Sequence, residues 1–183
     1  MKQKALMLGA GSSTVQRRMQ TPWSASEEDT EWTTLDYYVP ADIKLNLWDV
    51  AEGQPVSGDE KNLIEQGPFN EIHAYEVLEH FGTQGRPEHF FNTFNWIHDL
   101  LAPRGCLVGS CPLTTGPWVW GDPGHSRVIS RESLSFLEES FYDQCGQTAA
   151  SDYRSLLSGK YWKVLQANDN VKMGFFIFAL QKQ

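Results

Sequence analysis

Residues 69–112 read FNEIHAYEVLEHFGTQGRPEHFFNTFNWIHDLLAPRGCLVGSCP. Phe69–Val77 reads as a strand. The segment from Pro87 to Leu101 reads as a helix: Phe90, Phe94, Ile97 and Leu101 recur at the i, i+4, i+7, i+11 spacing of one buried face. Pro87 suits a first helical turn, and Pro103 and Gly105 stop the helix. Cys106–Cys111 (CLVGSC) is then a buried strand ending at Pro112. A strand, a helix and a second buried strand in that order are the building unit of an α/β sheet whose strands run parallel.

The flanking sequence extends the pattern. Lys4–Leu8 (KALML) is a short apolar run that stops at Gly9-Ala10-Gly11, a buried strand ending in a glycine turn. Ser12–Trp32 is polar, with Pro22 and the acidic stretch Glu27-Glu28-Asp29, and predicts a long connection with at most a short helix from Thr14 to Met19. A loop of that length in a compact domain is usually functional or mobile. Thr33–Tyr38 predicts a second strand with Asp36 near its end, and Ile43–Leu47 a third ending at Trp48-Asp49. Val50–Pro68 reads as loop with one helical turn near Asn62 to Glu65. Leu113–Arg127 is a loop of Gly, Pro and Trp, followed by a helix from Ser130 to Tyr142 with Leu134, Leu137 and Phe141 as its stripe. Tyr161–Ala167 and Lys172–Leu180 form a hairpin around Asn168-Asp169-Asn170, residue types that tolerate left-handed turns. The expectation is an α/β fold, mostly parallel, with a final antiparallel hairpin.

Length and composition bound what such a fold does. A chain of 183 residues predicts one domain, residues 1–183, long enough to bury roughly 70% of its unfolded surface. Lys plus Arg number 15 against 23 Asp plus Glu, a net charge of −8 that argues against sequence-blind nucleic-acid binding. No apolar run approaches the roughly 20 residues of a membrane helix, so no membrane partner is expected. Met1–Leu8 is too short and polar for a signal peptide. Cys106, Cys111 and Cys145 show no CxxC and no Cys/His ligand spacing. They read as reduced thiols of a cytoplasmic protein with no metal site.

Ligands of open α/β sheets bind at the carboxyl ends of the strands. Four such ends carry suggestive residues. Gly9-Ala10-Gly11 lets a backbone approach a ligand where a Cβ would clash, or is simply a tight turn. Asp36, 25 residues after Gly11, suits the two hydroxyls of a ribose, or is a surface acid. Asp49 suits the exocyclic amine of an adenine, or caps its own backbone. Tyr75-Glu76-Val77-Leu78-Glu79-His80 brings two carboxylates and an imidazole. Together the first three make a nucleoside site. A nicotinamide site wants GxGxxG before a helix that holds the pyrophosphate, yet the sixth position is Thr14 and little helix follows. S-adenosylmethionine is a nucleoside ligand without phosphate.

On these residues the chain resembles the class I S-adenosylmethionine-dependent methyltransferases, most of all their small, type 11-like members. The matching stretches are LMLGAGSS (6–13), TLDYY (34–38), NLWD (46–49), FNEIHAYEVLEHF (69–81), LLAPRGCLVGSCP (100–112) and GDPGHSRVISRESLSFL (121–137). They span most of the chain, VLEHF and LLAPRG being the most specific. Ser13 stands where the family's glycine loop often has its third glycine, and the first helix is weak.

The resemblance implies a Rossmann-like methyltransferase fold of about seven strands. It implies S-adenosylmethionine as cofactor and S-adenosylhomocysteine as product, with an unidentified small-molecule or macromolecular methyl acceptor as partner. The Gly9-Ala10-Gly11 turn would lie against the cofactor, Gly9 and Gly11 close to its methionine part; Asp36 would hold the ribose; Tyr37, Asp49 and Val50 would border the adenine. Tyr75 and Glu76 would lie beneath the sulfonium, a cation that favours carboxylate and aromatic neighbours. His80 and His125 are the catalytic candidates. Glu79, Trp118, Trp120, Asp122 and Arg127 are the acceptor-side candidates. No NPPY stretch is present, which argues against an amino-methylating nucleic-acid enzyme. A protein of this fold that binds the cofactor without catalysis is the alternative. The cleft is expected to be covered by the chain's own loops, Ser12–Trp32 and Leu113–Arg127 with Trp23, Trp32, Trp118 and Trp120, or by a second subunit in a homodimer.

Overall fold

A computed structural model describes residues 2–12, 17–56 and 58–183. Among them, seven strands form one sheet: β1 (Gln3–Leu8), β2 (Thr30–Asp36), β3 (Ile43–Lys44), β4 (Phe69–Tyr75), β5 (Leu101–Pro112), β6 (Trp162–Asn170) and β7 (Phe175–Lys182). Their order is β3-β2-β1-β4-β5-β7-β6. β1, β2, β3, β4 and β5 pair in parallel, and β7 runs antiparallel to both β5 and β6. The expected α/β sheet with a terminal hairpin is what the chain forms, but the hairpin turns at 171–174, so Asn168, Asp169 and Asn170 are paired residues of β6 rather than the turn. It starts at the sheet centre, builds outward through β2 and β3, then returns to lay β4 on the other side of β1. The gap between the carboxyl ends of β1 and β4 is thus the topological switch point, where α/β sheets open a crevice.

Among the described residues, six α-helices accompany the sheet: α1 (Leu47–Glu52), α2 (Glu60–Gln66), α3 (Pro87–Leu100), α4 (Trp118–Gly121), α5 (Arg131–Ser135) and α6 (Arg154–Leu157). Side chains alternate across each strand, so the sheet has two inner faces. One is apolar: Leu6, Leu8, Ile72, Ala74, Leu107, Phe178 and Leu180 share a core with Phe91, Phe94 and Ile97 of α3 and the fully buried Trp162. On the other face β4 presents Glu71, His73 and Tyr75, all buried. Met19 packs on that side against Cys106, Val108 and Ala179, and the Trp23 indole N–H reaches Cys106 Sγ at 3.2 Å.

Several expectations shift. The stripe of α3 is Phe91, Phe94, Ile97 and Leu100; Phe90 is only partly buried, and Leu101 belongs to β5. The third strand is two residues long, because Asn46 caps a helix: its side chain accepts the Trp48 N–H, and Gly53 ends α1 at φ 67°. Asp49 and Val50 are therefore helical rather than loop, and the helical turn expected near Asn62 to Glu65 forms as the longer helix α2. The Ser130–Tyr142 helix is broken into α5 and a 3₁₀ segment, Glu139–Gln144. Trp32 lies inside β2, opposite Ala5, not in a covering loop. The helix expected at Thr14–Met19 and the third glycine position, Ser13, fall on or largely on 13–16, outside the described residues. No helix among the described residues is long and apolar enough to cross a membrane.

Candidate functional site

A cavity of about 650 Å³ opens at the switch point. Gly9, Asp36 and Tyr37 form one wall, and Asn46 to Trp48 at the start of α1 form the next; Glu76, His80 and His125 line the opposite side. This volume lies in the range of small-molecule sites.

The β1 turn and the β2 end lock together. Gly9 has φ 59°, and a Cβ there would stand 2.5 Å from Val77 Cγ2, so both its backbone angle and its neighbour require glycine. The Gly11 N–H donates to Asp36 Oδ2 at 2.9 Å, while Asp36 Oδ1 accepts the Tyr38 N–H at 2.8 Å. Ala10 donates its N–H to the Leu35 carbonyl, continuing the strand pairing past β1. The carboxylate is thereby aimed, and a carboxylate has more acceptor sites than these contacts use.

The opposite wall is built by buried ionisable groups. Glu76 sits directly after β4 at φ 56°, held by its N–H to the Ser110 carbonyl at 2.9 Å. Burial pushes its carboxyl up from the usual carboxylate range. One 3₁₀ turn, Leu78–His80, then places Glu79 underneath: it is 1% exposed and neither carboxylate oxygen has a hydrogen-bond partner. Burial first, and then the neighbouring Glu76 and Asp122 charges, push its carboxyl up to about 8. The His80 and His125 rings meet edge to face at 4.7 Å. Burial and the neighbouring His125 lower the His80 imidazole. Asp122 Oδ1 accepts the Gly124 N–H at 2.7 Å and shapes the turn that carries His125.

Other sequence candidates stand elsewhere. Tyr75 is buried on the polar sheet face, where its hydroxyl meets His73 Nδ1 at 2.7 Å and the Met19 N–H at 3.0 Å. Burial raises that phenol to about 12. Val50 is buried in the core, and Asp49 faces Asn46 within α1; neither lines the cavity. Trp118 and Trp120 are 69% and 61% exposed on α4, off the cavity wall. Arg127 is 5% exposed and donates to the Thr83 and Arg86 carbonyls. It lines a smaller cavity of about 220 Å³, with its guanidinium 5.6 Å from the Phe90 ring centroid.

Reading the sequence passed over Asn46, Trp48, Phe81 and Ser126, which also line the main cavity. The signal for the first two was Asn46 as a helix cap, which turns Trp48 rather than Asp49 toward the opening.

No protein-family model matches this sequence, and no curated protein matches it. Solved structures do resemble it. The MycE methyltransferase of the mycinamycin biosynthetic pathway, in complex with Mg, SAH and mycinamycin VI, aligns over 100% of this chain at TM-score 0.50 and 14% identity. The chain spans less than half of that protein, 45% of its length. A SAM-dependent methyltransferase from Archaeoglobus fulgidus aligns at TM-score 0.50 and 14% identity, over 100% of this chain and 86% of that one. With the strand order and the antiparallel β7 already in hand, these likenesses identify the chain as having the Rossmann-like methyltransferase fold.

Proposed function

We propose that this chain is an S-adenosylmethionine-dependent methyltransferase. One observation carries the reading: a glycine turn and an aimed carboxylate, Gly9 and Asp36, form one wall of a cavity at the switch point, and Glu76, His80 and His125 form the facing wall. The residues present fit the cofactor. Asp36 has acceptor capacity left for ribose hydroxyls, and the flat faces of Tyr37 and Trp48 suit an adenine. Glu76 Oε1 is buried without a partner, which suits a positively charged ligand group. Tyr75, Asp49 and Val50 do not line this cavity, and the reading does not rest on them.

When bound, the cofactor supplies a methyl group already activated on a sulfonium. The chain's own residues then align an acceptor, an effect worth up to about 7–11 kcal/mol of barrier, and exclude water. His80 and His125 stand on the acceptor side, where an imidazole can take the proton of an acceptor that arrives protonated. Pro123, Gly124 and Ser126 line the cavity beside them.

Calorimetry with S-adenosylmethionine and S-adenosylhomocysteine tests this. Both should bind one per chain, and Asp36→Ala should weaken binding roughly 10- to 100-fold through the lost ribose hydrogen bonds. Absence of binding by either ligand overturns the proposal; binding indifferent to Asp36→Ala overturns the ribose assignment.

A further inference from the structure

Glu79, His80 and His125 each offer one donor atom within 4.8 Å of the others. Three observations make this more than a cluster. First, both imidazoles are oriented by backbone carbonyls: His80 Nδ1 lies 3.2 Å from the Gly124 oxygen and His125 Nδ1 lies 3.3 Å from the Val119 oxygen. A carbonyl oxygen only accepts, so each contact is made by an Nδ1–H, and Nε2 is the atom such a ring offers to a metal. A ring N–H donated to a backbone carbonyl is how metal-ligating histidines are usually held.

Second, His125 Nε2 faces Glu79 Oε1 at 3.9 Å. The two atoms face each other across a gap too long for a direct hydrogen bond. Third, Glu79 is all but fully buried and neither of its oxygens makes a well-formed hydrogen bond, its near polar neighbours being the buried Cys111 thiol and its own backbone. An unpaired carboxylate so placed is strongly disfavoured unless a cation or a proton joins it. In the metal-free chain a proton on the carboxyl itself meets that need. A metal ion can take the proton's place and join the two side chains, since two ligands each about 2.0–2.1 Å from one ion stand about 3–3.4 Å apart. The Glu79–His125 pair needs to close by less than about 1 Å, and the widest pair of the three by up to about 1.5 Å.

We propose that Glu79, His80 and His125 bind one divalent transition-metal ion at the acceptor side of the cavity. Two imidazoles and one carboxylate favour zinc, iron or cobalt over magnesium or calcium, and three protein ligands leave coordination positions open. His80 and His125 line the cavity and Glu79 closes the rear, so the open positions face the cavity. An acceptor oxygen is the group they would receive, and the ion's charge would favour its deprotonated form, in place of proton removal by an imidazole. That last assignment rests on the methyl-transfer reading; the metal site does not.

The test uses the full chain, stripped with a chelator and titrated with zinc(II), cobalt(II) or magnesium(II). Zinc and cobalt should each bind one per chain, cobalt giving a visible absorption band. Glu79→Gln and His125→Asn should each weaken zinc binding at least about 100-fold while keeping a cooperative melting transition. If Glu79→Gln does not fold, His125→Asn decides alone. No stoichiometric zinc binding by the unsubstituted protein, zinc affinity unchanged in His125→Asn, or magnesium bound more tightly than zinc each overturns the proposal. S-adenosylhomocysteine is titrated into the same metal-free protein. Retained binding with no metal site overturns this inference alone, and metal binding without S-adenosylhomocysteine binding overturns the methyl-transfer reading alone.

Discussion

The same strands show two faces, and the faces are closed in different ways. Beneath α3 the sheet presents Leu6, Leu8, Ile72, Ala74 and Leu107, and a regular helix meets them with Phe91, Phe94 and Ile97. On the other side β4 presents Glu71, His73 and Tyr75, and irregular chain from Arg17 onward meets them. The Arg17 side chain is fully buried and donates to Glu71 Oε2 at 3.1 Å, to the Ala25 carbonyl at 2.9 Å and to Thr30 Oγ1 at 2.9 Å. Glu71 Oε2 also meets His73 Nε2 at 2.8 Å, and His73 Nδ1 meets the Tyr75 hydroxyl, which accepts the Met19 N–H. An apolar face tolerates any cover of the right shape and volume. A polar face is stable only when every member finds its partner. The difference teaches how a cover without regular helix is held in register: one arginine and one tyrosine tie residues 17–30 to β4.

The largest expected effect breaks the apolar face. Phe94 is 1% exposed and packs against Phe90 and Trp162, with ring centroids at 4.6 and 6.3 Å. Phe94→Ala should cost about 3–5 kcal/mol in denaturant unfolding, transfer and cavity terms together. A cost under about 1 kcal/mol would mean that this face refills its cavities and is the softer of the two.

Arg17→Ala breaks the polar face. It leaves Glu71 buried beside His73 with one cation removed, and should cost about 3 kcal/mol. The double substitution Arg17→Met with Glu71→Leu should recover most of that, because apolar residues of similar volume often replace a buried pair without loss. A double variant as unstable as the single one would show that the network sets the path of the segment, not merely its charge balance.

How much was legible follows the same division. The α3 stripe, the buried β1 and β5 and the terminal hairpin stand in the sequence because apolar periodicity reports directly on burial. The helix phase was still off by one residue at both ends, Phe91 for Phe90 and Leu100 for Leu101, since the period alone leaves a wide stripe. Arg17, Glu71 and His73 look like surface residues one by one; their partners lie 54 residues apart for the ion pair, and no local pattern joins them. Tyr75 shows the cost at the site. Resemblance set it beneath the sulfonium, but a strand alternates sides, so Tyr75 goes with Glu71 and His73, away from the cavity. Glu76 escapes that alternation by leaving the strand at φ 56°. Gly9 and Asp36 were readable because glycine and a strand-end acid act through the backbone turn itself. The facing of His125 onto Glu79 was not, being made by two loops 46 residues apart.

The smallest expected effect sharpens the comparison through pH. Burial works to raise the Glu71 carboxyl, but hydrogen bonds from His73 and Ser24 and the charges of His73 and Arg17 carry it below the ordinary 4.5. The folded chain therefore holds the Glu71 proton less readily than the unfolded chain does. Its stabilising contribution is fully present above 4.5 and is lost as pH falls through the lower folded value. Unfolding free energy measured from pH 7 downward should fall more steeply in the unsubstituted protein than in Glu71→Gln, where that proton is absent. Parallel curves would mean that Glu71 gains no more from its partners when folded than from water when unfolded. The apolar face has no such term, so the slope of Phe94→Ala should match that of the unsubstituted protein across the same range. If Phe94→Ala also flattens the curve, the two faces are not independent and α3 helps to hold the polar network in place.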